Sequence, residues 1–266
     1  MNKIGLSTSS VFPYKIEDTF SIAKSAGYDG VELMITSDKL SREVNHLKRL
    51  EDKYSLPILS IHAPVLLLTH FVWGTDPEIK LRKTAEHAAE IGAKTVVVHP
   101  PFAWQGRYAE NFISIVNEIT EETSVEIGVE NMFPWKYKNK EINAYKPSWD
   151  TIANSADSIT VDFSHAALSG VNSLELVESL GDRLHHIHLC DGTINTGSTN
   201  DKIFDEHLMP GQGNQPIIET LQHLARNNWE GQIVAEVNTR KQRSKAAKID
   251  VLAQTAEYAR KALREA

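Results

Sequence analysis

The sequence predicts an α/β fold of the (β/α)8 barrel type, in one domain over residues 1–266. Three observations carry that expectation. Short β-branched or apolar runs alternate with helical segments, the pattern of parallel βα units rather than of a sandwich. Eight such runs can be counted. The 266 residues suit one TIM barrel and bury a substantial core without disulfides.

In chain order the runs are KIGLSTS (3–9), DGVELM (29–34), PILSIH (57–62), KTVVVH (94–99), VEIGVE (125–130), SITVD (158–162), LHHIHL (184–189) and QIVAEV (232–237). Ala26-Gly27 and Ile91-Gly92 mark the ends of intervening helices, because glycine accepts the left-handed conformation that closes a helix. No linker or change of composition divides the chain. Two connections are long, 131–148 and 192–215, and long loops in a compact domain usually carry function.

The bulk composition is that of a globular protein, with 41% hydrophobic and 24% charged residues. No apolar run approaches the roughly 18 to 20 residues of a membrane span, and the opening MNKIGLSTSS lacks the layout of a secretion signal. A cytoplasmic protein with no membrane partner is therefore expected. The single cysteine, Cys190, agrees with a reducing compartment and excludes a cysteine-rich zinc site. A formal net charge of −7 argues against a general nucleic-acid binder. Basic residues nevertheless gather at Lys136, Lys138, Lys140 and Lys146 against Glu141, and again at Arg240, Lys241, Arg243, Lys245 and Lys248.

Alternation along a barrel strand sends every second side chain inward, so the last inward residue of each strand faces the mouth. Those positions read Glu32, His62, His99, Glu130, Asp162, His188 and Glu236. Any one of them alone is ordinarily a hydrogen-bonded structural group or a helix cap. Seven together would bury mutually repelling carboxylates, a large cost unless cations neutralise them. The ligand types suit Zn²⁺ or Mn²⁺, and also Co²⁺ or Fe²⁺, better than Ca²⁺. In VDFSH, the spacing of Asp162 and His165 lets a turn bring the imidazole back over the mouth. In FDEHLMPGQG, a locally extended segment would aim Asp205 and His207 to one side, with the Pro-Gly turn after them as a brace. Phe71 and Trp73, Phe102 and Trp104, and Phe133, Trp135 and Tyr137 follow three successive strands and are expected to ring the mouth.

These residues resemble the xylose isomerase-like TIM barrel superfamily, which holds sugar isomerases and epimerases, inosose-processing enzymes and endonuclease IV repair enzymes. The resemblance runs through nearly the whole chain. Its sugar epimerase branch implies a metal held by Glu130 in GVEN, Asp162 in VDFSH, His188 in IHLCD and Glu236 in VAEVN. Its endonuclease IV branch implies further ligands in His62 of IHAP, His99 of VVVHPP, His165, Asp205 and His207, so that one to three divalent ions per chain are expected. One departure weakens the repair branch: where such chains carry an aromatic residue after the HAP-like segment, this one reads His62-Ala63-Pro64-Val65-Leu66.

The resemblance thus implies a divalent-metal-dependent sugar or sugar phosphate isomerase or epimerase. Glu130 and Glu236 would be the catalytic acid and base around a metal-stabilised enediolate. Glu32, Trp104, Trp135 and His165 are expected against the substrate, with Glu32 equally suited to a structural salt bridge. The alternative is an endonuclease IV-like phosphodiesterase acting on abasic DNA, the one reading with a nucleic-acid partner. A non-catalytic barrel module is a third class, against which the intact Glu130 and Glu236 argue. The exact sugar, its stereocentre and the oligomeric state, homo-oligomer included, depend on shapes that a sequence does not carry.

Overall fold

A computed structural model describes residues 2–64, 69, 71–137, 140–194 and 205–266. Val65, Leu66 and Lys138 lie outside the described residues, as do the side chains of Lys136, Tyr137, Lys140 and Glu141 and the 195–204 part of the second long connection.

The strands are β1 (Ile4–Ser7), β2 (Gly30–Met34), β3 (Ile58–His62), β4 (Thr95–Val98), β5 (Glu126–Glu130), β6 (Trp135–Tyr137), β7 (Lys140–Ile142), β8 (Ile159–Asp162), β9 (Leu184–Leu189) and β10 (Gln232–Ala235). The helices are α1 (Ile16–Ser25), α2 (Val44–Tyr54), α3 (Pro77–Ile91), α4 (Arg107–Thr123), α5 (Phe163–Leu168), α6 (Ser173–Leu180), α7 (Ile217–Arg226) and α8 (Lys245–Arg264). Eight parallel strands close in the order β1-β10-β9-β8-β5-β4-β3-β2, the barrel expected from the sequence. All eight expected runs are strands, LHHIHL over its full length and the other seven shortened at one or both ends. The first stops at Ser7 because the Ser7 hydroxyl accepts the Ser9 amide and turns the chain into a 3-10 turn at Thr8–Val11. His99 and Glu236 each lie one residue past their strand.

The barrel is held from outside by apolar packing. Outward residues such as Leu6, Val31, Leu33, Val96, Ile127, Val161, Ile187 and Ile233 are buried under the helices. In α4 the buried Tyr108, Phe112, Ile115, Val116 and Ile119 recur every three or four residues, which lays one stripe on the sheet. Asp76 caps α3 through the amides of Glu78 and Ile79, with Pro77 in the first turn, worth about 1 kcal/mol by analogy with other caps. Gly27 and Gly92 follow the ends of α1 and α3 with φ of 81° and 94°, the left-handed residues expected there.

The first long connection is more than a loop. Its β6 and β7 form an antiparallel hairpin pairing Trp135 with Ile142. Beside it Met132, Ala144 and Tyr145 make a small core with Phe102, Phe133 and Trp149.

The lower barrel is filled by Leu59, whose side chain occupies the space over Gly30. A Cβ at Gly30 would stand 2.5 Å from Leu59 Cγ and 2.7 Å from the Pro57 carbonyl oxygen. Because the second contact is backbone, it cannot be relieved by a rotamer change. Gly30→Ala is therefore expected to destabilise the protein by about 1–3 kcal/mol, measured from the urea midpoint. A change within about 0.5 kcal/mol, the range of neutral surface substitutions, would contradict this packing.

Candidate metal centre

The barrel alternation brings His62, His99, Glu130, Asp162, His188 and Glu236 to one mouth, with Glu32 on the same inward face one layer below. His188 is at the middle. Its Nδ1 lies 3.0 Å from Glu130 Oε1, 3.0 Å from Glu236 Oε2 and 3.8 Å from Asp162 Oδ2. Glu130 in turn meets four imidazoles: His62 Nε2 at 3.3 Å and His99 Nε2 at 3.0 Å on Oε2, and His188 Nδ1 and, at 3.4 Å, His165 Nδ1 on Oε1. Glu130, Asp162 and His188 have essentially no exposed side chain, whereas Glu236 retains 12%.

Glu32 lies beneath this group with both oxygens engaged. Oε1 stands 3.0 Å from His188 Nε2, while Oε2 takes the Ser60 hydroxyl at 2.8 Å and lies 3.0 Å from His186 Nε2. It is fully buried, one layer below the mouth and against His188. His186 was not singled out in the sequence, although it stands two residues before His188 on the same inward face. That alternation is the signal that could have found it.

A second group adjoins the first across Asp162. Asp162 caps α5 by accepting the His165 amide at 2.8 Å, so the expected turn is a helix start. His165 Nε2 then lies 3.2 Å, and His207 Nε2 2.8 Å, from Asp205 Oδ2. Asp205 and His207 do face one another, but not through extended chain: His207 has φ of 42°. The bend is held by the Ser164 hydroxyl, which accepts the Glu206 and His207 amides and donates to Asp205 Oδ1. The brace beyond it is the buried Asp191, whose carboxylate accepts the amides of Gly192, Gly211, Gly213 and Gln215. Cys190, pushed up in pKa by burial, stays a neutral thiol at 3.5 Å from Asp162 Oδ1.

Hydrogen bonds set which ring nitrogen is free. The carbonyl oxygens of Ala63, Asn131 and Glu236 can only accept, so they take the Nδ1–H of His62 (3.1 Å), His165 (2.9 Å) and His207 (2.8 Å). Glu32 takes the Nε2–H of His188 in the same way. Each neutral ring then aims a bare lone pair at carboxylate oxygens, which repel it. Histidines that ligate metals are arranged in this manner, with the outer N–H fixed by a carbonyl or carboxylate.

The charges agree. Burial opposes a proton on His188, but Glu32, Glu236 and Glu130 outweigh it and hold the ring well above the ordinary histidine range. Burial likewise opposes a proton on His165, which Asp162, Asp205 and Glu130 nonetheless raise to about 10. Burial pushes Glu130 up, yet His188, His99 and His62 hold it well below the usual carboxylate range. Positive charge is therefore required among these carboxylates, supplied by protons or by a cation. Glu130, Asp162 and His188 offer ligand atoms within 4.8 Å of one another, as do His62, His99 and Glu130, and His165, Asp205 and His207. Mixed imidazole and carboxylate donors fit a divalent transition ion.

A cavity of about 610 Å³ opens on Asp205, His207 and Glu236 and is walled by Phe12, Tyr14, Met34 and Arg240. On the opposite rim Trp104 (65% exposed) and Trp135 (40% exposed) flank Phe102, and the Phe133 ring lies tilted against His165 with centroids 5.2 Å apart. Trp73, expected at the mouth, instead packs against His87 of α3 and the outer core. The basic stretch after β10 is not a continuous cationic surface. Lys245 pairs with Asp18 at 2.9 Å, and Lys248 is buried and donates to the Thr239 carbonyl and hydroxyl. Lys146 lies 3.8 Å from Glu110. Among the described residues no helix is long and apolar enough to cross a membrane.

Comparison with known proteins gives a consistent set of likenesses. The family model described as "Xylose isomerase-like TIM barrel" matches residues 20–263. An uncharacterized protein of Mycobacterium leprae is 40% identical, over 97% of this chain and 96% of its own. A fructoselysine 3-epimerase of Escherichia coli is 22% identical, over 89% and 90%. The crystal structure of a D-tagatose 3-epimerase-like protein superposes with a TM-score of 0.70 at 25% identity, covering 97% of this chain and 98% of its own.

Two outcomes follow from the ring nitrogens. A proton and a bound ion would compete for His188 Nδ1, and the raised pKa keeps the proton bound to higher pH, so Mn²⁺ affinity is expected to rise from pH 6 to pH 8; calorimetric affinities that are flat or fall over that interval would contradict it. Glu32→Gln is expected to weaken Mn²⁺ binding by about 10–100-fold, with an unchanged far-ultraviolet circular dichroism spectrum. Unaltered affinity would show that Glu32 does not orient His188.

Proposed function

The chain belongs to the xylose isomerase-like TIM barrel family, and from that premise we propose that it is a divalent-metal-dependent sugar isomerase or epimerase. The observation that carries the reading is that Glu130 and Glu236 come from separate parts of the barrel ring and both reach His188 Nδ1 at 3.0 Å. The fructoselysine 3-epimerase relative and the D-tagatose 3-epimerase-like structure support it by the names they carry and by their coverage of the chain.

Glu130, Asp162, His188 and Glu236 would hold the ion. When bound, it would polarise a sugar carbonyl and the neighbouring hydroxyl, which acidifies the C–H between them. The side chains do the rest. Glu236 is the more accessible carboxylate and opens on the cavity. The Ser9 hydroxyl donates to its Oε1 at 2.7 Å, leaving Oε2 to take a proton from carbon. Glu130, across His188 from Glu236, passes on a proton drawn from His62 Nε2 at 3.3 Å, where burial opposes the charge but Glu130 raises the pKa. Delivered to the opposite face, that proton inverts the carbon; delivered to the neighbouring carbon, with the hydroxyl proton moving between the two oxygens, it isomerises the sugar. Glu32 keeps the His188 ring in one tautomer. His165 orients substrate oxygens, and Trp104 and Trp135 form an apolar wall for the sugar ring.

The second ligand group gives another reading an observation of its own. His62 and His99 with Glu130, and His165 with Asp205 and His207, are the additional donors that an endonuclease IV-like phosphodiesterase would use for further ions on abasic DNA.

Glu130→Gln and Glu236→Gln are each expected to slow exchange of a ketohexose carbon-bound proton with deuterated solvent by about 100-fold or more, with the fold intact. Nuclear magnetic resonance reads the exchange directly, and wild-type exchange in either variant would refute the two-carboxylate mechanism. The purified protein is expected to carry one ion per chain and to leave an abasic-site duplex uncut. Three ions with efficient nicking would establish the phosphodiesterase instead.

A further inference from the structure

The cavity beside the metal centre continues past the reacting groups. Its inner end touches Glu236, Asp205 and His207, and its outer end is lined by Lys15 and Arg240. At about 610 Å³ it falls within the roughly 300–1,000 Å³ of pockets that take drug-sized ligands, so a free monosaccharide would leave part of it unfilled.

The outer end is positively charged. Arg240 and Lys15 are exposed, and among the described residues neither makes an ion pair, whereas the neighbouring Lys245 is committed to Asp18. Arg240 places its guanidinium 5.8 Å from the centre of the Phe12 ring, and its amide is taken by Asn238 Oδ1 at 3.0 Å. Asp38 borders the same cavity, but its Oδ1 accepts the Leu40 amide at the start of a 3-10 turn. Behind Arg240 stands another cation, Lys248, kept below the ordinary lysine range by burial and then by the Arg240 charge. In a chain of net charge −7, two unpaired cations at the far end of a cavity that begins at a catalytic carboxylate are suited to an anion brought in by a ligand. The planar guanidinium, steadied on Phe12, matches the paired oxygens of phosphate or carboxylate, and Lys15 adds a point charge.

We propose that this outer end binds an oxyanion, a phosphate ester or carboxylate, carried by the sugar at the end remote from the carbon that exchanges its proton. The assignment rests on the isomerase or epimerase reading for the identity of the sugar, and on Arg240 and Lys15 for the anion.

The test is calorimetric titration of the metal-loaded protein with D-fructose, D-fructose 6-phosphate, D-fructuronate and inorganic phosphate, in the wild type, Arg240→Ala, Lys15→Ala and the double variant. At least one anionic sugar is expected to bind about tenfold or more tightly than D-fructose, and Arg240→Ala to remove about that factor while leaving D-fructose affinity and proton exchange unchanged. The order of the two anionic sugars identifies the oxyanion. Inorganic phosphate is expected to compete with a favoured phosphate ester and not with D-fructose. Equal affinities in the wild type, a preference that survives in the double variant, or no binding of any anionic probe would each overturn the assignment. A preference that tracks Arg240 without proton exchange on any sugar would sink the isomerase reading and leave the anion site standing; exchange without preference would do the reverse.

Discussion

Three carboxylates face one imidazole nitrogen at the mouth of this barrel, and most of the local structure is arranged around that fact. A single proton on His188 Nδ1 can satisfy Glu130 or Glu236 but not both, with Asp162 at 3.8 Å besides. Buried like charges at such separations are costly. The surrounding polar groups fix His188 from the opposite side through Glu32, so the nitrogen is not free to rotate away from the conflict. An arrangement that spends buried hydrogen bonds on holding lone pairs toward anions is stable when positive charge is shared among them, which a divalent ion does better than one proton.

The barrel supplies the precision. His62, Glu130 and Asp162 end their strands, His99 and Glu236 lie one residue beyond, and His188 and Glu32 sit one and two residues inside, so backbone pairing fixes their positions, and the clamps are local. Asn131 joins the ends of β5 and β8 by accepting the Asp162 amide and donating to its carbonyl. Ser10 holds the segment after β10 through the Val237 amide. Asp191 gathers four amides to steady the strap that carries Asp205 and His207. The rim differs in kind: Phe12, Trp104 and Arg240 project from loops and Trp135 from the β6–β7 hairpin, positions that can vary without disturbing the strand ends.

Much of this was legible in the sequence because inward alternation is a property of single strands. Glu130, Asp162 and His188 could be placed at the mouth from their own runs, and His165 from its spacing to Asp162. The partners that fix them were not legible in the same way. Ser9 meets Glu236 across 227 residues and Ser60 meets Glu32 across 28, pairings that depend on barrel closure and register. The β6–β7 hairpin was hidden because three-residue strands carry too little alternation to read. Trp73 went the other way: its φ of 57° turns the ring toward α3, which periodicity does not foresee. His186 is legible by the same alternation, two residues before His188 on the inward face of β9.

The measurement that tests the central claim most directly is the anomalous scattering of crystals equilibrated with Mn²⁺. A peak among Glu130, Asp162, His188 and Glu236, with Glu32 still on His188 Nε2, is the expected result. A map with no anomalous density at His188 Nδ1, in crystals that bind the ion elsewhere, would contradict the claim that these converging carboxylates form a cation site.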